Sequence, residues 1–254
     1  MPHGAIATEG VSVRISGLQI LDDVSISAEP GSVTGLIGPN GAGKTTLFNV
    51  MSGFVRPNAG RVLIDGRAVH RVRPHDLTRM GIARTLQGVG LFASLTAVEN
   101  VMLGAHARTG IVADALALPW SDGERHALDA RARATLDELG VADAADRRPG
   151  ELPYPVQKRV ALARALVSDP QVLLLDEPAG GIGAGDIDQL ATLIRSWVPQ
   201  RTVLLVEHHM ELVMEVCDRI WVLDAGRVIA HGTPDEIRRD PQVLAAYLGE
   251  DGAA

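Results

Sequence analysis

The chain of 254 residues carries a formal net charge of −7, with 46% hydrophobic and 22% charged residues. That length can bury a full core, as one large domain or a domain with an inserted lobe, and the composition is that of a soluble globular protein. The acidic sign argues against an overall trap for nucleic acid, no apolar run approaches the ~18–20 residues of a membrane span, and Met1-Pro2-His3-Gly4-Ala5 lacks the basic start and apolar run of a secretory leader.

From the start of the chain, residues 11–37 alternate apolar and polar as strands do. Val11, Val13 and Ile15 form one run and Val24, Ile26 and Ala28 the next, with turns at Ser16-Gly17 and Glu29-Pro30-Gly31. Ser32–Ile37 reads as a buried strand and Thr46–Met51 as a helix. Gly53 to Gly60 is a turn-rich link, and Arg61–Ile64 is a strand closed by the tight turn Asp65-Gly66. Residues 74–84 predict a helix with Pro74 near its start. The arginines at 61, 67, 71, 73, 79 and 84 gather around it and read as a solvated face. From about 95 to 165 the strand signal disappears. Leu95–Ala107 and Arg125–Leu139 have helical spacing, the second with Leu128, Leu136 and Leu139 on one side. The Ala- and Gly-rich stretch Thr109–Gly123 between them is expected to be irregular. Strands return at Val172–Leu175, Thr202–Val206 and Arg219–Leu223, each preceded by a helix. Continuous apolar strands alternating with helices predict a parallel sheet covered on both faces. Cys217, the only cysteine, excludes an intrachain disulfide. It ends Val213-Met214-Glu215-Val216-Cys217 and reads as a small core residue. Asp251–Ala254 is a short tail with nothing to bury.

Between the third strand and the first helix lies Gly38-Pro39-Asn40-Gly41-Ala42-Gly43-Lys44-Thr45, which fits the phosphate-binding pattern G-x-x-x-x-G-K-[ST]. Glycines let successive N–H groups turn toward one anion. Lys44 can reach the β- and γ-phosphates as a mobile point charge, and the Thr45 hydroxyl suits Mg²⁺. The helix that follows adds its positive dipole end.

The strand Val172–Leu175 ends in Asp176-Glu177. Two carboxylates at the C-terminal edge of a buried strand stand where doubly wound sheets place ligands. Asp176 can hold Mg²⁺ through water, and Glu177 can polarise the water that attacks the γ-phosphate. Thr202–Val206 is followed by Glu207-His208-His209. His208 is placed to reach the γ-phosphate or the attacking water, whereas His209 starts the next helix and is expected to be structural. Gln87, after Ala83-Arg84-Thr85-Leu86, can touch Mg²⁺ or the nucleophilic water and release it when the neighbouring lobe moves.

These elements in this order resemble the ATP-binding subunit of an ABC transporter, from about Val11 to Gly249. The resemblance implies a nucleotide-binding domain over residues 8–249. It would be an α/β P-loop NTPase core with a mostly parallel sheet, an antiparallel β subdomain and a helical lobe inserted at about 90–166. It makes Gly38–Thr45 the Walker A loop, with Thr46 next in the phosphate-binding set. Gln87 becomes the Q-loop glutamine, Val172–Asp176 Walker B, Glu177 the catalytic glutamate and His208 the switch histidine. It also implies ATP and Mg²⁺, the metal held by Thr45, Gln87 and Asp176. Arg84–Phe92, Asp176–Gly181, Glu207–Met210, Gly232–Ile237, Asp240-Pro241 and Ala246–Gly249 are similar to the branched-chain amino acid importer ATPases. Such subunits work as dimers that sandwich each nucleotide between one Walker A loop and the partner's signature loop. The implied partners are therefore a second ABC ATPase, integral membrane permeases and, indirectly, a solute-binding protein, with no nucleic acid. The implied place is cytoplasmic, peripheral on the inner face of the cell membrane.

The chain departs from the family in three places. The signature, usually Leu-Ser-Gly-Gly-Gln or Leu-Ala-Tyr-Gly-Gln, is here Leu152-Pro153-Tyr154-Pro155-Val156. Pro153 lacks the hydroxyl and Pro155 lacks the N–H offered to the partner's nucleotide, although proline suits the first turn of a helix. Two hydrogen bonds to a charged acceptor are worth roughly 1.5–3 kcal/mol each, at most about 10²- to 10⁴-fold in affinity for the closed state. Either the donors are lost, or the loop shifts or water replaces them. The position that often stacks an aromatic on adenine is Ile15, which offers only apolar contact. After the Asp-Glu loop, Ile182-Gly183 stands where the family often has Asp or Asn. Since Glu177 and His208 are retained while the face offered to the partner is altered, a heterodimer is favoured over a homodimer. The expected function is ATP hydrolysis powering import of a small polar solute, foremost branched-chain amino acids. Urea or amide import, lipid export and a non-transport ABC ATPase are the alternatives. A non-hydrolysing regulator is opposed by Glu177 and His208.

Overall fold

The alternation of apolar and polar residues decides which face of each strand is covered, and two sheets result. A computed structural model describes residues 4–85, 88–108 and 122–248. Its strands are β1 (Ile6–Ile15), β2 (Leu18–Ala28), β3 (Val33–Ile37), β4 (Ala59–Ile64), β5 (Arg67–Val69), β6 (Ile82–Arg84), β7 (Val172–Asp176), β8 (Thr202–Val206), β9 (Arg219–Asp224) and β10 (Arg227–Gly232). An antiparallel sheet has the order β2-β1-β4-β5. The larger sheet has the order β10-β9-β3-β8-β7-β6. It is parallel throughout except for the β9–β10 hairpin. The expected mostly parallel core with an antiparallel β subdomain is thus present.

The parallel strands are buried along their length because both faces are covered. Leu173, Leu175, Val203 and Leu205 point into one core, with α5 (Ala184–Trp197) and α6 (Met210–Val216) and the helices of the lobe. Their alternates Val172, Leu174, Leu204 and Val206 point into another, with α1 (Lys44–Met51) and the buried side of β1 and β2. The lobe contains α2 (Ala97–Met102), α3 (Asp122–Glu138) and α4 (Tyr154–Leu166). Leu128, Leu136 and Leu139 are buried there as their spacing predicts. Two short helices, α7 (Pro234–Arg239) and α8 (Pro241–Leu248), follow the last strand.

Three expectations are corrected. Residues 74–84 do not form a helix. Pro74–Asp76 and Thr78–Met80 are single 3₁₀ turns, Gly81 takes φ 71°, and β6 follows. Joining the sheet edge beside β7 buries Ile82 completely and supplies ladder hydrogen bonds, which overrides a weak helical pattern. Leu95–Ala107 is not one helix: α2 gives way to a 3₁₀ segment at Leu103–Arg108. There Gly104 packs so closely on α4 that a Cβ would stand 1.8 Å from the Arg164 carbonyl oxygen. Asp122 and Gly123 lie within α3 and not in an irregular stretch. Most of Thr109–Gly123 and the tail Asp251–Ala254 lie outside the described residues.

Candidate functional site

The register of the parallel strands brings the separate motifs to one edge. Val206 of β8 pairs with Leu36 of β3 on one side and with Asp176 of β7 on the other. Two residues beyond Leu36 the Gly38 loop begins, one beyond Asp176 stands Glu177, and two beyond Val206 stands His208. All three leave the sheet at its C-terminal edge, where such sheets bind ligands. Gln87 falls outside the described residues. Thr85 before it is docked on the same edge, its N–H donating to the Leu174 carbonyl at 2.9 Å and its hydroxyl accepting from the Asp176 N–H at 3.1 Å.

The loop is shaped for an anion. Gly38 has φ 148°, and a Cβ there would stand 1.9 Å from the Leu223 carbonyl oxygen, so only glycine fits. Pro39 and Ala42 are buried, while Asn40, Gly41 and Thr45 are exposed and Gly43, Lys44 and Thr46 are intermediate. Gly43 is the N-cap of α1 and makes no side-chain cap, so the first N–H groups of the helix open onto the loop. Lys44 Nζ donates to the Gly38 carbonyl at 2.6 Å and the Pro39 carbonyl at 2.8 Å. The ammonium is therefore held inside the loop, where phosphate oxygens can replace those carbonyls.

Asp176 is 3% exposed and ion-paired to Arg84, whose Nη2 lies 2.8 Å from its Oδ2. The same guanidinium donates to Asn49 Oδ1 at 2.7 Å and to Ser52 Oγ, and lies 5.3 Å from the Phe48 ring centroid. Arg84 thus joins the end of α1 to the carboxylate of β7. This corrects its assignment to the solvated arginine face: its side chain is 8% exposed. Glu177 takes φ 48°, a left-handed backbone that is uncommon for a non-glycine residue and gathers at functional sites. Its N–H donates to the Val206 carbonyl at 2.9 Å.

On the β8 side the hub is Glu207, which the sequence reading did not single out. Its Oε1 accepts from the Ala179 N–H at 2.7 Å. Its Oε2 accepts from the N–H groups of His208 and His209 at 2.8 and 3.0 Å and lies 3.0 Å from His209 Nδ1. Burial pushes the carboxyl up, but the hydrogen bonds from His209, Ala179 and His208 outweigh it and hold the group below its usual range. His209 is the N-cap of α6 and has the structural place expected of it. His208 projects outward, its side chain 60% exposed and its ring tilted 41° against that of His209 at 4.3 Å between centroids. The ligand atoms of Glu207, His208 and His209 lie within 4.8 Å of one another. With Oε2 already engaged by three N–H groups, the cluster is built as a hydrogen-bond hub.

The altered signature keeps a helix start. Pro153 is the N-cap of α4 and Pro155 lies in its first turn. Leu152 is buried, and Gln157 Nε2 donates to its carbonyl at 2.9 Å. Tyr154 is 40% exposed and lies against Gly181, and Val156 packs on the core. The hydroxyl and the N–H missing at Pro153 and Pro155 are replaced by no other donor in those two residues. Ile182 packs on the core and Gly183 caps α5. Ile15 closes β1, paired with Leu18 at the hairpin tip and 49% exposed.

Comparison with known proteins agrees with this geometry. Residues 21–180 match the ABC transporter family, and residues 227–253 match the family described as branched-chain amino acid ATP-binding cassette transporter. The chain is 38% identical to the high-affinity branched-chain amino acid transport ATP-binding protein LivG of Escherichia coli (strain K12), over 98% of this chain and 100% of that one. Identity and coverage are the same for BraF of Pseudomonas aeruginosa, which carries the same description. Among solved structures, the ADP conformation of MJ1267, an ATP-binding cassette of an ABC transporter, superposes with a TM-score of 0.83 at 29% identity, covering 96% of this chain and 98% of that one.

Proposed function

The chain belongs to the ABC transporter family of ATP-binding subunits, and on that premise we propose that it hydrolyses ATP to drive import of branched-chain amino acids. The observation that carries the reading is the shared row Leu36, Val206 and Asp176, which delivers phosphate loop, His208 and Glu177 to one edge. Lys44, freed from the carbonyls of Gly38 and Pro39, grips the terminal phosphates beside Gly38, Pro39, Asn40, Gly41, Ala42, Gly43, Thr45 and Thr46. Glu177 accepts a proton from the attacking water, and His208 orients the γ-phosphate. Ile15 gives adenine an apolar contact. The Thr45 hydroxyl and the buried Asp176 carboxylate are the hard oxygen donors that fit Mg²⁺, with Gln87 as third partner. Bound there, Mg²⁺ would offset charge on the phosphate oxygens.

Residues 8–249 are read as one nucleotide-binding domain with the lobe inserted at about 90–166. Among the described residues no helix is long and apolar enough to cross a membrane. The proposed place is the cytoplasmic face of the membrane, held there by permease subunits. The partner ATPase is proposed to be a different chain. Leu152, Pro153, Tyr154, Pro155 and Val156 would then face its nucleotide, while this chain's intact phosphate loop meets a complete signature. The test is ATP turnover and uptake of leucine, isoleucine and valine by vesicles holding the permeases, with this chain alone and with the second ATPase. The reading predicts uptake and full turnover only with both ATPases; full turnover by this chain alone overturns the heterodimer.

A further inference from the structure

The backbone around Glu177 sits in a conformation that neighbours must hold in place, and the holding groups are two buried charges of opposite sign. The first, Lys158 of α4, 8% exposed, donates from Nζ to the Glu177 carbonyl at 3.0 Å. The Gly180 N–H donates to the same carbonyl at 3.1 Å. The second, Glu207, 1% exposed, divides its two oxygens between loops. Oε1 takes the Ala179 N–H, two residues past Glu177, and Oε2 takes the N–H groups of His208 and His209. Burial lowers the Lys158 pKa, and the charges of Glu207 and Glu177 work against that shift. The donors that Glu207 satisfies all belong to the two loops that carry the reacting groups, so its bonds lie outside the strand ladder and the α6 backbone.

We infer that Glu207 and Lys158 are positioning residues that clamp the segment Glu177–Gly180 at two points, the Glu177 carbonyl and the Ala179 N–H, fixing the Glu177 carboxylate relative to His208 and tying both to the signature helix α4. The inference rests on the roles given above to Glu177 and His208. Through Lys158, the helix proposed to face the partner's nucleotide is joined to the backbone of the residue that carries this chain's own catalytic carboxylate. The chemistry of an amide separates positioning from bulk stability. Gln at 207 keeps the volume but has one accepting oxygen and one donating NH₂. With the oxygen toward Ala179, the NH₂ confronts the N–H groups of His208 and His209; with the amide turned, it confronts Ala179. One loop is released either way.

The test uses the chain assembled with its ATPase partner and permeases, comparing Glu207→Gln, Lys158→Met and, as a control, Glu177→Gln. The readouts are the dissociation constant for ATP with Mg²⁺, kcat and KM for ATP, and amide hydrogen exchange at Ala179 and His208. Glu207→Gln is expected to bind ATP within about two-fold of the parent and to lower kcat at least ten-fold with KM little changed, while exchange at Ala179 or His208 accelerates. Lys158→Met is expected to show the same split. Should Glu207→Gln fail to fold, Lys158→Met decides by the same readouts. The clamp is overturned if Glu177→Gln abolishes turnover while both other variants turn over within about two-fold of the parent, or if their kcat falls without any change in exchange at those amides. If Glu177→Gln itself retains full turnover, the underlying reading fails, and the clamp with it.

Discussion

Arg84 shows what a single guanidinium contributes when it is drawn inside. It donates to Asp176, Asn49 and Ser52 and lies beside Phe48, so three elements meet on one side chain. Removing one member of a buried pair leaves the other unpaired in a poor solvent, which costs about 3–5 kcal/mol. Arg84→Leu is therefore expected to lower the free energy of unfolding measured in urea by about 3–5 kcal/mol, with Asp176 the group left unpaired; an unchanged free energy would show that the pair is energetically idle. Glu207 makes a second prediction at this scale. Its carboxyl is held below the usual range, so its contribution to stability is complete above the ordinary carboxylate value of about pH 4.3 and is lost as pH falls through the lowered value. Acid titration of stability should lose part of its slope in Glu207→Gln, measured by urea unfolding between about pH 5 and 3. Neither side chain was legible in the sequence. Arg84 sat in a run of exposed arginines, and only pairing of β6 with β7 turns it inward. Glu207 left only a faint signal, a carboxylate directly after five buried strand residues.

Among the elements, those with uninterrupted periodicity were legible and those made by long-range pairing were not. β3, β7, β8 and β9 stand where apolar runs predict them, and α3 buries its leucines as spaced. The phosphate loop was legible because its chemistry is local: glycine at an otherwise closed approach, then lysine, then a helix start. β6 is three residues long and exists only because the edge of the sheet receives it. The break between α2 and the 3₁₀ segment arises from contact with α4, sixty residues on. Gly104→Ala would place a methyl 1.8 Å from the Arg164 carbonyl oxygen, forcing the lobe helices apart. Overpacking of that kind costs about 1–3 kcal/mol, and thermal melting should show the loss; an unchanged melting temperature would mean that the two helices separate freely.

For the whole molecule, the question is what each half of the site meets. The loop, Glu177 and His208 are assembled within this chain, whereas α4 begins with Pro153 at its N-cap and Pro155 in its first turn, the first without a hydroxyl and the second without an N–H. Restoring the backbone donor with Pro155→Gly should raise turnover of the isolated chain about ten-fold or more, since one charge-assisted hydrogen bond is worth about 1.5–3 kcal/mol. Equal rates before and after would remove the signature from the account of asymmetry. The central claim is that Glu177 assists cleavage of a triphosphate held by Lys44 and its loop. The most direct measurement is ATP turnover by the assembled protein carrying Glu177→Gln, with ATP binding followed in the same samples. Loss of a general base predicts a fall of about 10²- to 10⁴-fold while ATP still binds; turnover equal to that of the unmodified protein would contradict the account.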